Sequence, residues 1–209
     1  MAVIACGAIA RPVEQIAERR GLQLHVYPLP PLLHNHPSRI AGEVERLATD
    51  LTARYDRVVV GYADCGSYGA LDTVCARLGL ERLAGLHCYD LYGGAERVAS
   101  YLEEQPGTYL LTDFLVRSFA RSVLVELGLD RYPDLRDAYF GNYTRVVWLA
   151  QERDSELEVL ARRASEVLDL PLVVIDTGTT ILEQELIALV TAQVSSGDPA
   201  SSALSHSPG

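Results

Sequence analysis

The stretch RVVVGYADCGSYGALD, residues 57–72, joins a buried strand to a helix through a polar turn. Its three consecutive valines form an apolar run of strand length, and the run breaks at Asp64, Cys65 and Gly66. Apolar residues at helical spacing begin soon after the turn. A strand that leads through a tight turn into a helix is the repeating unit of parallel α/β proteins. The stretch therefore predicts this fold class, with a thiol where the strand ends.

The same alternation runs along the rest of the chain. The predicted strands are AVIACG, LQLHVYPL, RVVVGYA, LAGLHCYDL, GTYLLTDF, TRVVWLA and LPLVVIDTG. The predicted helices cover 11–20, 38–54, 67–78, 94–104, 113–127, 154–168 and 180–194. This order predicts an α/β fold with a mostly parallel sheet and helices on both faces. Residues 1–194 are expected to form a single α/β domain, or two lobes that share one site, and 195–209 a flexible tail.

Composition and charge narrow the classes of function. A chain of 209 residues with 48% hydrophobic residues can bury a sizeable core. Its 18 basic and 28 acidic residues give a net charge of -10, which argues against binding to nucleic acid or to an anionic membrane surface. No apolar run is long enough to span a membrane, and the N-terminus lacks the basic segment of an export signal. We therefore expect a cytoplasmic protein.

Three of the four cysteines lie where predicted strands end, and they are the strongest candidates for a site. VIACGA and VVVGYADCGS both lead from a strand into Cys-Gly, which suggests an internal strand-Cys-Gly-helix repeat. The carboxyl ends of parallel strands face one edge, so Cys6, Cys65 and Cys88 are predicted to converge. Three thiolates with an open position suit zinc, or a 4Fe-4S iron-sulfur cluster with one iron free. Cys75 has helical spacing with apolar neighbours and is interpreted as a core residue.

Histidines and one aspartate supply candidate catalytic groups. His34 and His36 lie on the proline-rich loop PLPPLLHNHPSRI, residues 28–40. On an extended loop they would point to the same side and supply a fourth ligand, an acid or a hydrogen-bond donor. His87 and Asp90 flank Cys88 and join the candidate catalytic set.

Other titratable groups and caps have structural interpretations. His25 alternates with apolar residues and is interpreted as a strand histidine, and His206 in the tail is assigned no function. Asp64, Asp90 and Asp113 each lie near a strand end and can equally act as helix caps. Ser38 is expected to cap the helix that follows it.

An aromatic-rich connection, LGLDRYPDLRDAYFGNY, covers 127–143. Pro133 is expected to open a short helix there, and Gly141 with Asn142 to close it. The connection is predicted to expose four aromatic side chains as a lid or a homodimer contact, namely Tyr132, Tyr139, Phe140 and Tyr143.

Several motifs together resemble the bacterial and archaeal domain-of-unknown-function family 1638, from about residue 3 to about residue 183. They are LPPLLHNHP, GYADCGSYGALD, GLHCYDLYGG, EEQPGTYLLTDFL, LGLDRYPDLRDAYFGNY and VVWLAQ. The family's cysteine motifs match Cys6, Cys65 and Cys88. Its His-Asn-x-Pro loop matches His34, Asn35 and Pro37. The residues that follow its third cysteine match Asp90, Leu91 and Tyr92. Gly66-Ser67-Tyr68-Gly69 replaces the family's Gly-Thr-Gly. The resemblance implies neighbouring genes for corrinoid-dependent methyltransferases, and so one-carbon or methylamine metabolism by association.

Three hypotheses for function follow from these residues. The first is an enzyme that uses a three-cysteine iron-sulfur or zinc site on a small polar substrate, in one-carbon, methylamine or sulfur metabolism. The second is a non-catalytic protein that binds a metal, a corrinoid or components of a corrinoid methyltransferase. The third is a metal-free enzyme with one cysteine nucleophile activated by His87 or His34.

Overall fold

A computed structural model of the protein describes residues 1–192, and strands alternate with helices within them. The strands are β1 Ala2–Ala5, β2 His25–Pro28, β3 Val58–Gly61, β4 Glu81–Arg82, β5 Thr108–Thr112, β6 Arg145–Ala150 and β7 Leu172–Asp176. The α-helices are α1 Ala10–Arg20, α2 Ile40–Thr52, α3 Ala70–Leu78, α4 Asp90–Gly93, α5 Ala95–Glu104, α6 Asp113–Phe119, α7 Arg136–Phe140, α8 Ser155–Leu168 and α9 Thr180–Thr191. All strand pairs are parallel, which confirms the predicted α/β class.

The strands divide between two sheets. The N-terminal sheet has the order β2-β1-β3-β4, with Ala5 paired with Gly61 at the ends of its central strands. The chain moves one way across this sheet from β1 to β2 and the other way from β2 to β3. Right-handed crossovers therefore place α1 and α2 on opposite faces. The fully buried apolar strands β1 and β3 form the centre of the sheet.

The C-terminal sheet has the order β5-β6-β7. Its chain moves in one direction, so the connecting helices α6 and α8 lie on one face, where they contact each other. Trp148 lies in the core on that face and is fully buried. On the other face Val98 of α5 packs against Val147 and Leu149 of β6.

The last described helix, α9, returns to the N-terminal sheet. Leu182 and Leu186 of α9 are fully buried in the core of that sheet. Arg57, before β3, donates hydrogen bonds to the carbonyl oxygens of Leu189 and Val190 at 2.8 and 2.9 Å. The core of the N-terminal sheet is thus built from both ends of the described chain.

The predicted strand LAGLHCYDL is wrong. Only Glu81 and Arg82, before it, pair with β3, and the chain then turns through Gly85, which has a φ of +97°. The carboxylate of Asp90 accepts hydrogen bonds from the backbone amides of Leu86 and His87 at 2.9 and 3.0 Å. These amides are therefore not free to extend a strand ladder, and the apolar segment forms a loop.

Two helix predictions also need correction. The helix predicted over 113–127 is α-helical only to Phe119 and continues as a π-helical turn over Ala120–Val125. The hydroxyls of Ser118 and Ser122 donate to carbonyls one turn earlier, at 2.7 and 2.9 Å, which loosens the regular ladder. Ser38 does not cap α2, because it lies within a short 3-10 turn and Arg39 occupies the cap position without a side-chain hydrogen bond.

The aromatic connection is more buried than predicted. Pro133 opens a 3-10 turn and α7 ends at Phe140, as expected. Phe140, however, is buried and packs edge-on against Tyr109 with ring centroids 5.3 Å apart, while Tyr132 and Tyr139 are exposed. The exposure of Phe140 was wrongly predicted, and Tyr143 is half-buried rather than exposed. The homodimer stays a prediction.

No helix within residues 1–192 is long and apolar enough to cross a membrane. The tail predicted over 195–209, with His206, lies outside the described residues.

Candidate functional site

The turn after β3 holds Cys65 in an unusual backbone conformation. Cys65 has a φ of +50° and Gly66 a φ of +80°, so both lie in the left-handed region. A non-glycine residue there is strained by about 1–3 kcal/mol, and such strain is concentrated at functional sites. The backbone amide of Cys65 donates to the carbonyl of Leu86 at 2.7 Å, which ties this turn to the loop that carries Cys88.

Asp64 organises the same turn from within. Its buried carboxylate accepts hydrogen bonds from the hydroxyl of Ser67 at 2.6 Å and from the amides of Tyr68 and Gly69, both at 3.1 Å. Burial opposes ionisation, but these hydrogen bonds outweigh it and hold the pKa of Asp64 below its ordinary value. The side chain of Tyr68 is 96% exposed, so the turn directs it to solvent.

Cys6 directly follows β1 and is held by a second tight turn. Its amide donates to the carbonyl of Gly61 at 2.9 Å, which extends the pairing of β1 with β3. The next residue, Gly7, passes so close to the proline-rich loop that a Cβ atom would lie 2.3 Å from the carbonyl oxygen of Leu29. Glycine is required here for that close approach. The Cys-Gly turn thus positions both Cys6 and the loop that carries His34.

The three motif cysteines line one cavity of about 230 Å³ between the carboxyl ends of the two sheets. The N-terminal side contributes loop residues, namely Cys6, Ala8, His34, Cys65, Gly66, His87, Cys88 and Tyr89. The C-terminal sheet contributes Thr112, Phe114 and Leu115 at the junction of β5 and α6. The predicted convergence of the cysteines at one edge is therefore observed, although Cys88 arrives on a loop rather than on a strand. Cys75 is buried in α3 and packs in the core, as predicted.

His34 lines the cavity, whereas His36 does not. The proline-rich segment is a 3-10 helix over Pro31–Asn35 rather than an extended loop, so the two histidines diverge and His36 is exposed. The Nδ1 atom of His34 lies 2.5 Å from the carbonyl oxygen of Pro31 and must be the protonated donor. Burial lowers the pKa of His34, so at neutral pH its Nε2 atom is an unprotonated acceptor.

Two other candidates have different roles. His87 is exposed and lies at the rim of the cavity. Asp90 does not line the cavity, because its carboxylate holds the amides of Leu86 and His87 in the loop. The same hydrogen bonds that end the predicted strand therefore make Asp90 a structural residue of the site.

The environment of the thiols favours their neutral form in the metal-free protein. Burial raises the pKa of all three, and the nearby thiols raise the pKa of Cys65 and Cys88 further. The pKa of Cys65 reaches about 12. Within residues 1–192, no group of three or more His, Cys, Asp or Glu side chains is arranged so that it could hold a metal ion. The thiols share a cavity without forming a ready-made site for one ion, and the metal stays a prediction.

These raised pKa values predict that the metal-free protein loses stability at alkaline pH. Between the ordinary thiol value of 9.0 and about 12, Cys65 keeps its proton when folded and loses it when unfolded. The free energy of unfolding should therefore fall as pH rises, by at most about 1.4 kcal/mol per pH unit for this thiol. Urea unfolding at about pH 8 and about pH 10 measures the decline. Cys65→Ser should decline less steeply, and equal slopes would contradict the assignment.

A second, smaller cavity of about 100 Å³ adjoins the first, and Ala8 and Phe114 line both. Arg11, Arg117 and Glu152 contribute charged groups to it. The sequence motifs did not predict this charged pocket, although Asp113 and Glu152, which line it, lie within two residues of the ends of β5 and β6. The motifs also missed Thr112 and Phe114, although both stand at the predicted end of β5, where site residues of parallel sheets collect.

Comparison with known proteins found one family. A family model described as Protein of unknown function (DUF1638) matches residues 28–186, which include Cys65, Cys88 and His34. Neither the curated proteins nor the solved structures contain a match to the chain.

Proposed function

Because the chain belongs to the DUF1638 family, whose description names no activity, we propose a function from its own site: an enzyme that holds a 4Fe-4S cluster on Cys6, Cys65 and Cys88 and acts on a small polar substrate. The observation that carries the proposal is the position of three thiols, from three separate loops, around one cavity. Three cysteine ligands leave one iron free to bind substrate. A cluster held by three cysteines needs no carboxylate ligand. Asp90 is therefore not required as a ligand, in agreement with its structural role in the loop.

The arrangement favours a cluster over zinc. Thiolates on a single zinc ion each lie about 2.3 Å from it, which requires a compact group of ligands. In a cluster each cysteine binds a different iron, so the sulfurs stand further apart around a larger volume. Three thiols that line one cavity of about 230 Å³ leave room for the larger group.

A metal-free nucleophile fits the site less well. A cysteine nucleophile reacts as the thiolate, so its pKa is usually lowered by a nearby positive charge. Here burial raises the pKa of each thiol, and His34 in the same cavity is neutral at pH 7. As ligands of a bound cluster, these cysteines would give up their protons, because metal ligands bind as thiolates.

The remaining residues of the cavity would bind and orient the substrate. The free iron of a bound cluster supplies a Lewis acid for a substrate oxygen or sulfur. His34 lines the cavity with its ring fixed by the hydrogen bond from Nδ1 to Pro31, and its Nε2 atom would serve as a proton acceptor there. Arg11 and Glu152 in the adjoining pocket suit the charged end of a small polar molecule. One-carbon, methylamine or sulfur metabolism in a reducing cytoplasm is the setting that we propose for this chemistry.

A second candidate function is an accessory protein that docks on a methyltransferase component. Two apolar side chains next to the cysteine loops favour it, since Tyr68 is 96% exposed and Leu86 is 67% exposed. Exposed apolar side chains beside a functional site are typical of partner contacts. Binding of an isolated corrinoid protein that is lost in a Tyr68→Ser, Leu86→Ser double variant would support this candidate.

Metal content after anaerobic isolation tests the enzyme proposal. The protein should be brown, or become brown on reconstitution with iron and sulfide, with about four irons and four acid-labile sulfides per chain. Colourless protein with one zinc per chain would replace the cluster by zinc. Protein that takes up neither iron nor zinc under these conditions would contradict the proposal. The metal-free enzyme with a cysteine nucleophile would then be the remaining hypothesis.

A further inference from the structure

Tyr62 carries an unpartnered hydroxyl beside the cysteines. The residue is fully buried, and among the buried side-chain nitrogen and oxygen atoms of residues 1–192 its hydroxyl alone has no hydrogen-bond partner. Buried hydroxyls are almost always satisfied, because an unpartnered one loses its hydrogen bonds to water without replacement. This exception therefore calls for a functional explanation.

The sheet register explains where the hydroxyl lies. Ala5 pairs with Gly61, so the next residues, Cys6 and Tyr62, leave neighbouring strands side by side. The hydroxyl is close enough to the Cys6 thiol to lower its pKa as a donor, although the contact falls short of a formed hydrogen bond. Cys65 and Cys88 also lie near enough to raise the pKa of Tyr62. The hydroxyl therefore lies near all three thiols.

We propose that the Tyr62 hydroxyl donates its hydrogen bond to the Cys6 sulfur when that sulfur is a cluster ligand, and so tunes the cluster. This inference rests on the proposed function. A neutral thiol is a weak acceptor, whereas a metal-bound thiolate carries negative charge and accepts well. Hydrogen bonds to cluster sulfurs stabilise the more negative, reduced form and raise its potential. Tyr62 is a positioning and tuning residue rather than a catalytic one.

Packing alone does not explain the tyrosine. Phenylalanine would fill the same buried volume without bringing a hydroxyl into the core. In the metal-free protein the hydroxyl has only the weakly accepting Cys6 thiol beside it, whereas a metal-bound thiolate would be a good acceptor. The two states therefore predict opposite effects for removal of the same atom.

Tyr62→Phe, compared with wild type, tests the inference in both states. The metal-free variant should unfold at a urea concentration equal to or higher than that of wild type, because it loses an unsatisfied group. The loaded variant should lose iron severalfold faster in the presence of a chelator. In a redox titration with dithionite, its ratio of reduced to oxidised cluster at a fixed potential should fall by up to about tenfold, which corresponds to about 59 mV for one electron.

Tyr109→Phe is the matched control, since Tyr109 lies in the C-terminal sheet and packs against Phe140 and Tyr143. It should leave the cluster potential and the rate of iron loss unchanged. Suppose that Tyr62→Phe binds the normal amount of iron and that its cluster has the same potential and the same rate of iron loss as wild type. This result would overturn the inference and leave the proposed function standing. Wild-type protein without any cluster would overturn both. A metal-free Tyr62→Phe variant that is less stable than wild type would also overturn it, because the hydroxyl would then have a partner in the unloaded protein.

Discussion

Serine in place of Cys6, Cys65 or Cys88 is expected to remove most of the iron that the wild-type protein holds after anaerobic reconstitution. Serine is nearly the same size as cysteine, but its oxygen is a poor ligand for a soft metal site. Each single variant should keep its secondary structure and retain less than about a tenth of the wild-type iron after desalting. Iron and acid-labile sulfide assays, with circular dichroism as the check on folding, measure the effect.

Cys75→Ser provides the matched control within the same chain. Cys75 is buried in α3 and does not line the cavity, so the variant should keep its iron and lose stability by about 1–3 kcal/mol through the buried hydroxyl. Equal iron in all four variants would show that the three motif cysteines do not form one site. Loss of iron in only one of the variants would show that the iron has a different set of ligands.

Asp64→Ala is expected to lower the free energy of unfolding by about 3 kcal/mol. The substitution leaves the Ser67 hydroxyl and the Tyr68 and Gly69 amides without their acceptor in a part-buried turn, and hydrogen bonds to charged groups contribute about 1.5–3 kcal/mol each without being additive. The pKa of Asp64 is lowered, so its contribution is present above the ordinary value of 3.8 and lost as pH falls further. Urea unfolding of the metal-free protein at neutral and acidic pH measures both effects.

Asp72→Ala is a suitable comparison for that variant. Asp72 is exposed and pairs with Arg82 at 2.6 Å, and surface ion pairs contribute about 0–1 kcal/mol. Asp64→Ala should therefore be clearly the more destabilising of the two. A loss no larger than that of Asp72→Ala would mean that the turn around Cys65 is held by other contacts.

Sequence periodicity predicted most of the fold because strands of a parallel sheet are buried on both faces. β3 contains three consecutive valines for this reason, and the apolar run ends at the polar turn that begins with Asp64. The convergence of Cys6 and Cys65 followed from one geometric rule, that parallel strands end at a common edge. Six of the seven predicted strands are present, and the division into two sheets was the part that periodicity did not determine. Pairing between strands depends on contacts that are distant in sequence.

The failed predictions share a local cause. Around Cys88 and around His36 the apolar or proline-rich composition predicted extended backbone, but hydrogen bonds between neighbouring residues produced turns. Asp90 captures two amides in the first case, and a 3-10 helix satisfies the backbone in the second. The sequence contains these residues, but it does not show which of the competing short-range hydrogen bonds forms. Cys88 still reached the site, whereas His36 did not.

The role of Tyr62 was not predictable from the sequence for a different reason. Tyr62 looked like one more apolar residue near the end of a strand, and its hydroxyl gains meaning only from the register of β1 with β3. Tyr62 and Cys6 follow neighbouring strands and lie side by side, but they are 56 positions apart in the chain. Such a pair is recognised only once the neighbouring strands are known.

The return of α9 to the N-terminal sheet determines when the site can be completed during synthesis. Cys6, Cys65 and Cys88 leave the ribosome early, yet the core that supports them includes Leu182 and Leu186. A nascent chain that ends before Thr180 lacks that helix and holds an unfinished core, with its thiols less protected from oxidants. The order of translation therefore makes completion of the cavity a late event, after Thr180–Thr191 has been made.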